Sequence, residues 1–223
     1  MQWLWDNLGL VLGLSLDHVR LSAPPIIIGF LACIPLGVLA NRIRLARTLL
    51  LTLGGLLFTI PSLALFVTLP AILGTQIVDE LNVVVALSIY AVAIMVRGAA
   101  DAFASVPGDV VQSADAVGFS SVTRFWKVEL PLAGPVLLAN LRVVSVSTVS
   151  LLSVAALIGS GGLGYLFVNG YQRDFPEEII IGIVFTVLIA VAFDAILVAL
   201  GRLLMPWDAG SARDVSLRAG GAA

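Results

Sequence analysis

The sequence of 223 residues contains few charged residues and few side chains of the kinds that serve in catalysis or metal binding. Asp, Glu, Lys and Arg together make up 12% of it, whereas a typical soluble domain contains about 25% charged residues. The single cysteine, Cys33, cannot form an internal disulfide, and in an apolar run it is typical of a small buried side chain. The single histidine, His18, is typical of an interfacial or capping residue. No paired carboxylates, metal-ligand cluster or phosphate-binding G-x-x-x-x-G-K-[ST] motif is present, so catalysis, metal binding and ATP binding by this chain are not expected.

The low charge content comes with long runs that contain no charged residue. They cover residues 22–40, 48–78, 81–96, 143–172 and 179–193. A membrane span needs about 20 mostly apolar residues, and lipid offers no hydrogen-bond partners, so spans of this kind are helices. The sequence therefore predicts an all-α polytopic membrane protein with about five transmembrane helices, near residues 20–40, 48–73, 82–103, 135–158 and 178–203.

The loops between these runs differ in charge. Basic residues cluster at residues 42–47, 97–142 and 202–218, whereas the intervening loops carry acidic residues near 79–80 and 174–178. By the positive-inside rule this pattern places the N-terminus outside and the C-terminus in the cytoplasm.

The two ends of the chain are interpreted separately. Residues 1–17 contain Trp3 and Trp5 but no basic start, which predicts an interfacial helix on the outer surface and not a cleavable signal peptide. Residues 205–223 are polar and rich in Gly and Ala, which predicts a flexible cytoplasmic tail.

A polar segment at residues 107–131 interrupts the apolar sequence on the predicted cytoplasmic side. We predict a first short helix near residues 111–119, with Val110, Ala114 and Val117 on one face and Gly118 as its C-terminal cap. Ser120 caps a second helix over residues 121–130, and Pro131 is expected to end it. On the opposite side, the GSGGLG sequence at residues 159–164 predicts a flexible turn.

The spacing in this segment resembles that of a known family. Gly118 is followed by nine residues and then by Val128-Glu129-Leu130-Pro131, which is similar to the cytoplasmic "EAA" loop of type I ABC importer permeases. More narrowly, the chain resembles permeases for glycine betaine, choline, carnitine and proline. Other matching stretches are PLGVLANR (residues 35–42), TIPSLALF (59–66), VELPLAGPVLLANLR (128–142) and IGSGGLGYLFVNG (158–170).

The resemblance implies a permease domain over residues 18–204, with a coupling loop at 107–131 that docks on an ATPase. The implied docking residues are Gln112, Ser113, Ala114, Asp115, Gly118, Val128, Leu130 and Pro131. The sequence departs from the family pattern because Gln112-Ser113-Ala114 stands where the family has Glu-Ala-Ala. Asp109, Asp115 or a second, non-identical permease are the alternatives for the missing charge.

The resemblance also implies the biological role. It implies a non-catalytic permease subunit in a bacterial inner membrane that imports an osmoprotectant. The expected partners are a second permease subunit, identical or not, two ATPase subunits that hold ATP and Mg, an extracellular solute-binding protein and membrane lipid. No cofactor of its own and no nucleic acid are expected. The alternatives are import of another small solute, such as an amino acid, or a non-transporting membrane scaffold.

Several residues within the spans are candidates for the translocation path. Pro61 should bend the second span and free nearby carbonyls, and the lining candidates are Thr59, Pro61, Ser62, Ser145 and Thr148, for each of which helix packing is the alternative. Phe58, Phe66 and Tyr90 are scattered in the sequence, so an aromatic cage is expected on the binding protein instead. Asp194 is expected to pair with Arg97 or Arg142, with substrate contact as the alternative.

Overall fold

The computed structural model describes residues 2–207, and this part of the chain is helical with no strands. The α-helices, numbered α1 to α10, are Gln2–Asp6, Leu8–Arg42, Arg44–Thr59, Ser62–Leu73, Glu80–Ala104, Gly108–Ala116, Ser121–Arg124, Leu130–Leu152, Gly164–Gln172 and Pro176–Leu204. A π-helical turn, Phe125–Glu129, joins α7 to α8, and a 3₁₀ turn, Ser153–Ile158, follows α8. The prediction of an all-α polytopic fold is confirmed.

The long helices account for the predicted spans. Leu8–Arg42, Glu80–Ala104, Ser121–Ile158 and Pro176–Leu204 are each long and apolar enough to cross a membrane. The pair α3 and α4 is the fifth candidate, and the two helices are bent by 101° where they meet. Five spans are therefore present if the bent pair is counted as one.

Helix α5 lies at the centre of the bundle and packs against α2, α3, α4 and α8. Small residues make the contact with α2 close, because a Cβ added at Gly29 or Gly37 would lie 2.7 Å from the Cβ of Ala91 or Ala99. Such small residues allow membrane helices to approach one another closely. Cys33 is fully buried in the same contact region, as the sequence predicts.

The break between α3 and α4 is sharper than the predicted bend. Ile60 and Pro61 both have extended backbone conformations, so the helix stops at Thr59 and starts again at Ser62. Pro61 has no N–H to continue the helix. The hydroxyl of Tyr90 donates a hydrogen bond of 2.6 Å to the carbonyl of Ile60, which satisfies one acceptor that the break exposes.

Some predicted boundaries differ from the structure. Residues 8–17 are not part of a separate interfacial helix, because α2 runs without interruption from Leu8 and only Gln2–Asp6 is separate. No strong breaker lies between residues 8 and 23, and Pro24, Pro25 and Pro35 are accommodated inside α2. Helix α9 follows the turn at 159–163 and was not expected. Of the predicted tail at 205–223, residues 208–223 lie outside the described residues.

Candidate functional site: the coupling loop

The first helix of the loop, α6, begins three residues earlier than predicted and ends as predicted at a glycine cap. Gly118 has a φ of 90°, a left-handed conformation that glycine adopts readily. The N–H of Phe119 donates to the carbonyl of Ala114 at 3.1 Å, and the N–H of Gly118 donates to that of Asp115 at 3.0 Å. This pair of bonds is a Schellman motif, which ends the helix and turns the chain back.

Helix α6 lies at the surface of the bundle. Ala114 is its only buried residue, while Val117, just beyond its end, has 77% of its surface exposed. The helical spacing keeps Val110, Ala114 and Val117 on one face as predicted, but only Ala114 of the three is buried. Val117 is therefore a large apolar side chain left exposed at the end of this surface helix.

The docking candidates on α6 are reachable from outside the chain. Gln112 and Ser113 are exposed, and the Ser113 hydroxyl donates to the carbonyl of Asp109 at 2.8 Å. Gln112 also lines an open cavity of about 450 Å³ between α6 and the ends of α2 and α5, which includes Arg42 and Phe103.

The second part of the loop continues directly into the fourth span. The Ser120 hydroxyl accepts a hydrogen bond from the N–H of Thr123 at 3.3 Å, as expected for the cap. Pro131 does not end the helix as predicted, since the chain stays helical from Ser121 to Ile158. A proline cannot bond to the carbonyl four residues earlier and its ring crowds that carbonyl. The chain accommodates Pro131 with a wider turn, in which the N–H of Leu130 donates to the carbonyl of Phe125.

The remaining docking candidates lie in this wider turn and at the start of α8. Val128, Leu130 and Pro131 are each half-buried, so they anchor the loop to the bundle more than they present a surface. Phe125 packs beside Phe103 of α5, with ring centroids 6.0 Å apart.

Two acidic side chains of the loop share one arginine. Nη1 of Arg124 lies 2.5 Å from both carboxylate oxygens of Asp115, and Nε of Arg124 donates to Glu129 at 2.8 Å. Asp115 is therefore engaged within the chain and is poorly placed to replace the missing family glutamate. Asp109, in the first turn of α6, is exposed and is the better placed of the two.

The structure does not bring the five path candidates into one site. Thr59 and Pro61 are exposed at the break between α3 and α4, and Ser62 is half-buried. Ser145 and Thr148, in contrast, are 0% and 2% exposed within the bundle of this chain. In this conformation neither of the last two can touch a solute, because α8 buries them against neighbouring helices.

The aromatic residues are less scattered than the sequence suggests. The rings of Phe58 and Tyr90 lie 6.1 Å apart in an edge-to-face arrangement beside the break. Tyr90 is 2% exposed and Phe58 is 52% exposed. Two rings do not form a cage, but they place an accessible aromatic ring next to Thr59.

Asp194 forms an ion pair between α8 and α10. Arg142 donates to its two carboxylate oxygens through Nε at 2.6 Å and through Nη2 at 2.8 Å. Arg142 was one of the two partners predicted, and this two-point contact favours a structural role over substrate contact.

His18 is fully buried and so is not interfacial, but the predicted alternative of a capping residue agrees with its contacts. Its Nε2 lies 2.9 Å from the carbonyl of Val149, and its Nδ1 accepts a hydrogen bond of 3.2 Å from the N–H of Leu163. Since Nδ1 accepts, Nε2 carries the proton and donates to Val149. The helix becomes 3₁₀ at Ser153, whose N–H bonds to Ser150, which leaves the carbonyl of Val149 for His18.

The described helices have the fold of a type I ABC importer transmembrane domain. The solved structure of the MetNI methionine ABC transporter in an inward-facing conformation matches 87% of this chain and 97% of its own, with a TM-score of 0.71 and 22% identity. An amino acid ABC transporter with histidines matches 90% of this chain and 97% of its own, with a TM-score of 0.74 and 15% identity. At these identities the likeness shows the fold alone.

Sequence comparison gives the family. The family described as "Binding-protein-dependent transport system inner membrane component" matches residues 33–207, and the chain belongs to it. The choline transport system permease protein OpuBB of Bacillus subtilis (strain 168) is 32% identical over 92% of this chain and 94% of its own length. The osmoprotectant import permease protein OsmW of Salmonella typhimurium (strain LT2) is 32% identical over 92% of this chain and 97% of its own.

Proposed function

We propose that this chain is the permease subunit of an ATP-driven importer of an osmoprotectant such as choline, glycine betaine, carnitine or proline. The observation that carries the proposal is α6, a capped helix with exposed Gln112, Ser113 and Val117 at the end of a bundle of apolar helices. Relatives named for choline and osmoprotectant transport, similar over most of the chain, support the cargo.

In the proposed mechanism, α6 sits in a surface cleft of a soluble ATPase subunit. Two ATPase subunits close on ATP and Mg, and each displaces the helix docked on it. The chain is helical from Ser121 to Ile158, so the displacement passes along a stiff element into the fourth span. ATP hydrolysis takes place on the partners, and this subunit supplies no catalytic group and no cofactor.

The complete importer has further parts in this proposal. A second permease, identical or homologous, forms the other half of the pathway, and an extracellular binding protein delivers the solute. Exposed apolar side chains along α3 and α10 provide surface for lipid and for the second permease. The N-terminus lies outside a bacterial inner membrane and the C-terminus lies in the cytoplasm, in agreement with the excess of Arg near α6 and of acidic residues at the opposite end.

The solute path in this proposal runs past the break between α3 and α4. Thr59, Pro61 and Ser62 lie there with the accessible ring of Phe58, which suits weak contact with a quaternary ammonium group. Ser145 and Thr148 reach the path only if movement of α8 uncovers them.

Transport by the reconstituted complex tests the proposal. The chain is assembled in liposomes with its ATPase, its second permease where that differs, and its binding protein, and uptake of labelled choline, glycine betaine, carnitine, proline and methionine is measured. We expect ATP-dependent uptake of at least one of the first four, and none when the ATPase is replaced by a variant that cannot hydrolyse ATP. Uptake of methionine alone would overturn the proposal that the imported solute is an osmoprotectant. An assembled complex that transports nothing would favour a scaffold.

A further inference from the structure

Arg124 is the residue through which the surface helix α6 is joined by ion pairs to the foot of the fourth span. Its guanidinium contacts Asp115, next to the end of α6, and Glu129, directly before α8. We call the contacts among Asp115, Arg124 and Glu129 the bridge. The Arg124 and Glu129 side chains are 18% and 13% exposed, so the contact between them is shielded from solvent.

The π-helical turn makes this contact possible. In an α-helix of 3.6 residues per turn, residues five apart point in directions about 140° apart. In the turn Phe125–Glu129 the hydrogen bond runs between residues five apart, from the N–H of Leu130 to the carbonyl of Phe125. Residues 124 and 129 therefore lie on the same side of the helix, and the turn that accommodates Pro131 also places Glu129 beneath Arg124.

Helix α6 has few buried contacts with the rest of the bundle. Ala114 is the only buried residue in α6, and the connection from Ala116 to Ser121 is a short turn that depends on Gly118. The ion pair between Asp115 and Arg124 is therefore a direct side-chain link between α6 and the helix that leads into α8.

We propose that Arg124 is a positioning residue that locks α6 and α8 into one rigid unit, so that movement of the docked helix is transmitted to the fourth span. The inference rests on the proposed function of the chain as an importer permease. Arginine suits this role because its planar group donates from several nitrogens in fixed directions and can hold two carboxylates at once. A lysine would place one point charge between them.

The experiment measures the coupling ratio, the number of solute molecules imported for each ATP hydrolysed, in purified complexes in liposomes. For Arg124→Gln we expect the ratio to fall by about fivefold or more, with subunit content and ATP hydrolysis within about twofold of wild type. The coupling ratio of Arg124→Lys should lie between those of the wild type and of Arg124→Gln. Arg44→Gln is the matched control, because it removes one positive charge from an exposed side chain at the same end of the bundle and outside the loop at 107–131, and its coupling ratio should stay at the wild-type value.

Two further variants separate the halves of the bridge. Asp115→Asn weakens the contact to α6 and leaves that to Glu129, whereas Glu129→Gln does the reverse. Each variant alone should lower the coupling ratio. When either is combined with Arg124→Gln, the ratio should fall only slightly below that of Arg124→Gln alone, because the three residues act as one unit. If Arg124→Gln reduces recovery of the complex, Asp115→Asn decides the question.

The outcomes distinguish the two proposals. A wild-type complex with no ATP-driven uptake would refute the proposed function. A wild-type complex that transports, together with an unchanged coupling ratio in Arg124→Gln or in Asp115→Asn, would overturn the role of Arg124 alone. An equally large fall in the coupling ratio of Arg44→Gln would also overturn it, because the effect would then reflect surface charge.

Discussion

The two ends of the bundle hold their loops in opposite ways. At the basic end, where Arg42, Arg44 and Arg124 lie, α6 stands at the surface with one buried residue and is held by the ion pair between Asp115 and Arg124. At the acidic end, where Asp17, Glu80 and Glu178 lie, the turn at residues 159–163 is largely buried and is held by a neutral histidine. The loop at the basic end leaves the apolar side chain of Val117 exposed, whereas the turn at the acidic end is held by a buried side chain.

Removal of the buried His18 side chain should have the largest effect on stability. His18→Ala leaves the carbonyl of Val149 and the N–H of Leu163 buried without partners and creates a cavity. We expect the free energy of unfolding in micelles to fall by about 3 kcal/mol. Asp17→Ala is the control, because the neighbouring Asp17 is only half-buried and its contact with Arg20 is long at 3.8 Å, and it should change the free energy of unfolding by less than about 0.5 kcal/mol. Equal stability of the two variants would show that the acidic end is not pinned by His18.

Loss of the glycine cap at Gly118, after α6, should reduce stability less. Gly118→Ala places a side chain on a backbone with a φ of 90°, although no atom lies within 4 Å of the new Cβ. The cost is therefore conformational, and we expect a loss of about 1 kcal/mol in the free energy of unfolding.

The control for the cap is Gly108→Ala, since the new Cβ there also has nothing within 4 Å and Gly108 lacks a positive φ. Its stability should stay unchanged or rise slightly. A loss at residue 108 equal to that at 118 would point to the added methyl group and not to the left-handed conformation.

The exposed apolar side chain after α6 should have the smallest effect on stability. For Val117→Ser we expect a change within about 0.5 kcal/mol in the free energy of unfolding. Binding of the ATPase to the purified permease should nevertheless weaken, because an apolar contact is lost. Tyr171→Ser, at an even more exposed residue of the acidic end, should leave binding unchanged. Unchanged binding in Val117→Ser would remove Val117 from the docking surface.

Local rules predicted much of the fold and part of the site. Uncharged runs gave the spans, because burial in lipid requires length and low charge. The caps at Gly118 and Ser120 were also predictable, since each depends on a few neighbouring residues. Residues 8–17 were misjudged because a helix does not need to stop where the membrane interface ends.

The contacts that pin each end could not be read from the sequence. His18 and Leu163 lie far apart in the chain, and nothing in their local sequence indicates that they meet. The π-helical turn depends on how the chain continues past Pro131, where the rule that proline ends a helix favoured the wrong result. The bridge from Arg124 to Glu129 follows from that turn and was hidden for the same reason.

Site-specific photo-crosslinking tests whether the α6 end of the chain meets an ATPase. A photoreactive amino acid is placed at Val117, which is 77% exposed, or at Tyr171, which is 82% exposed at the opposite end, in the complete complex in membranes. We predict that irradiation links the chain to the ATPase from residue 117 and not from residue 171. Capture of the ATPase from residue 171, or from neither residue in a complex that hydrolyses ATP and transports solute, would contradict the account.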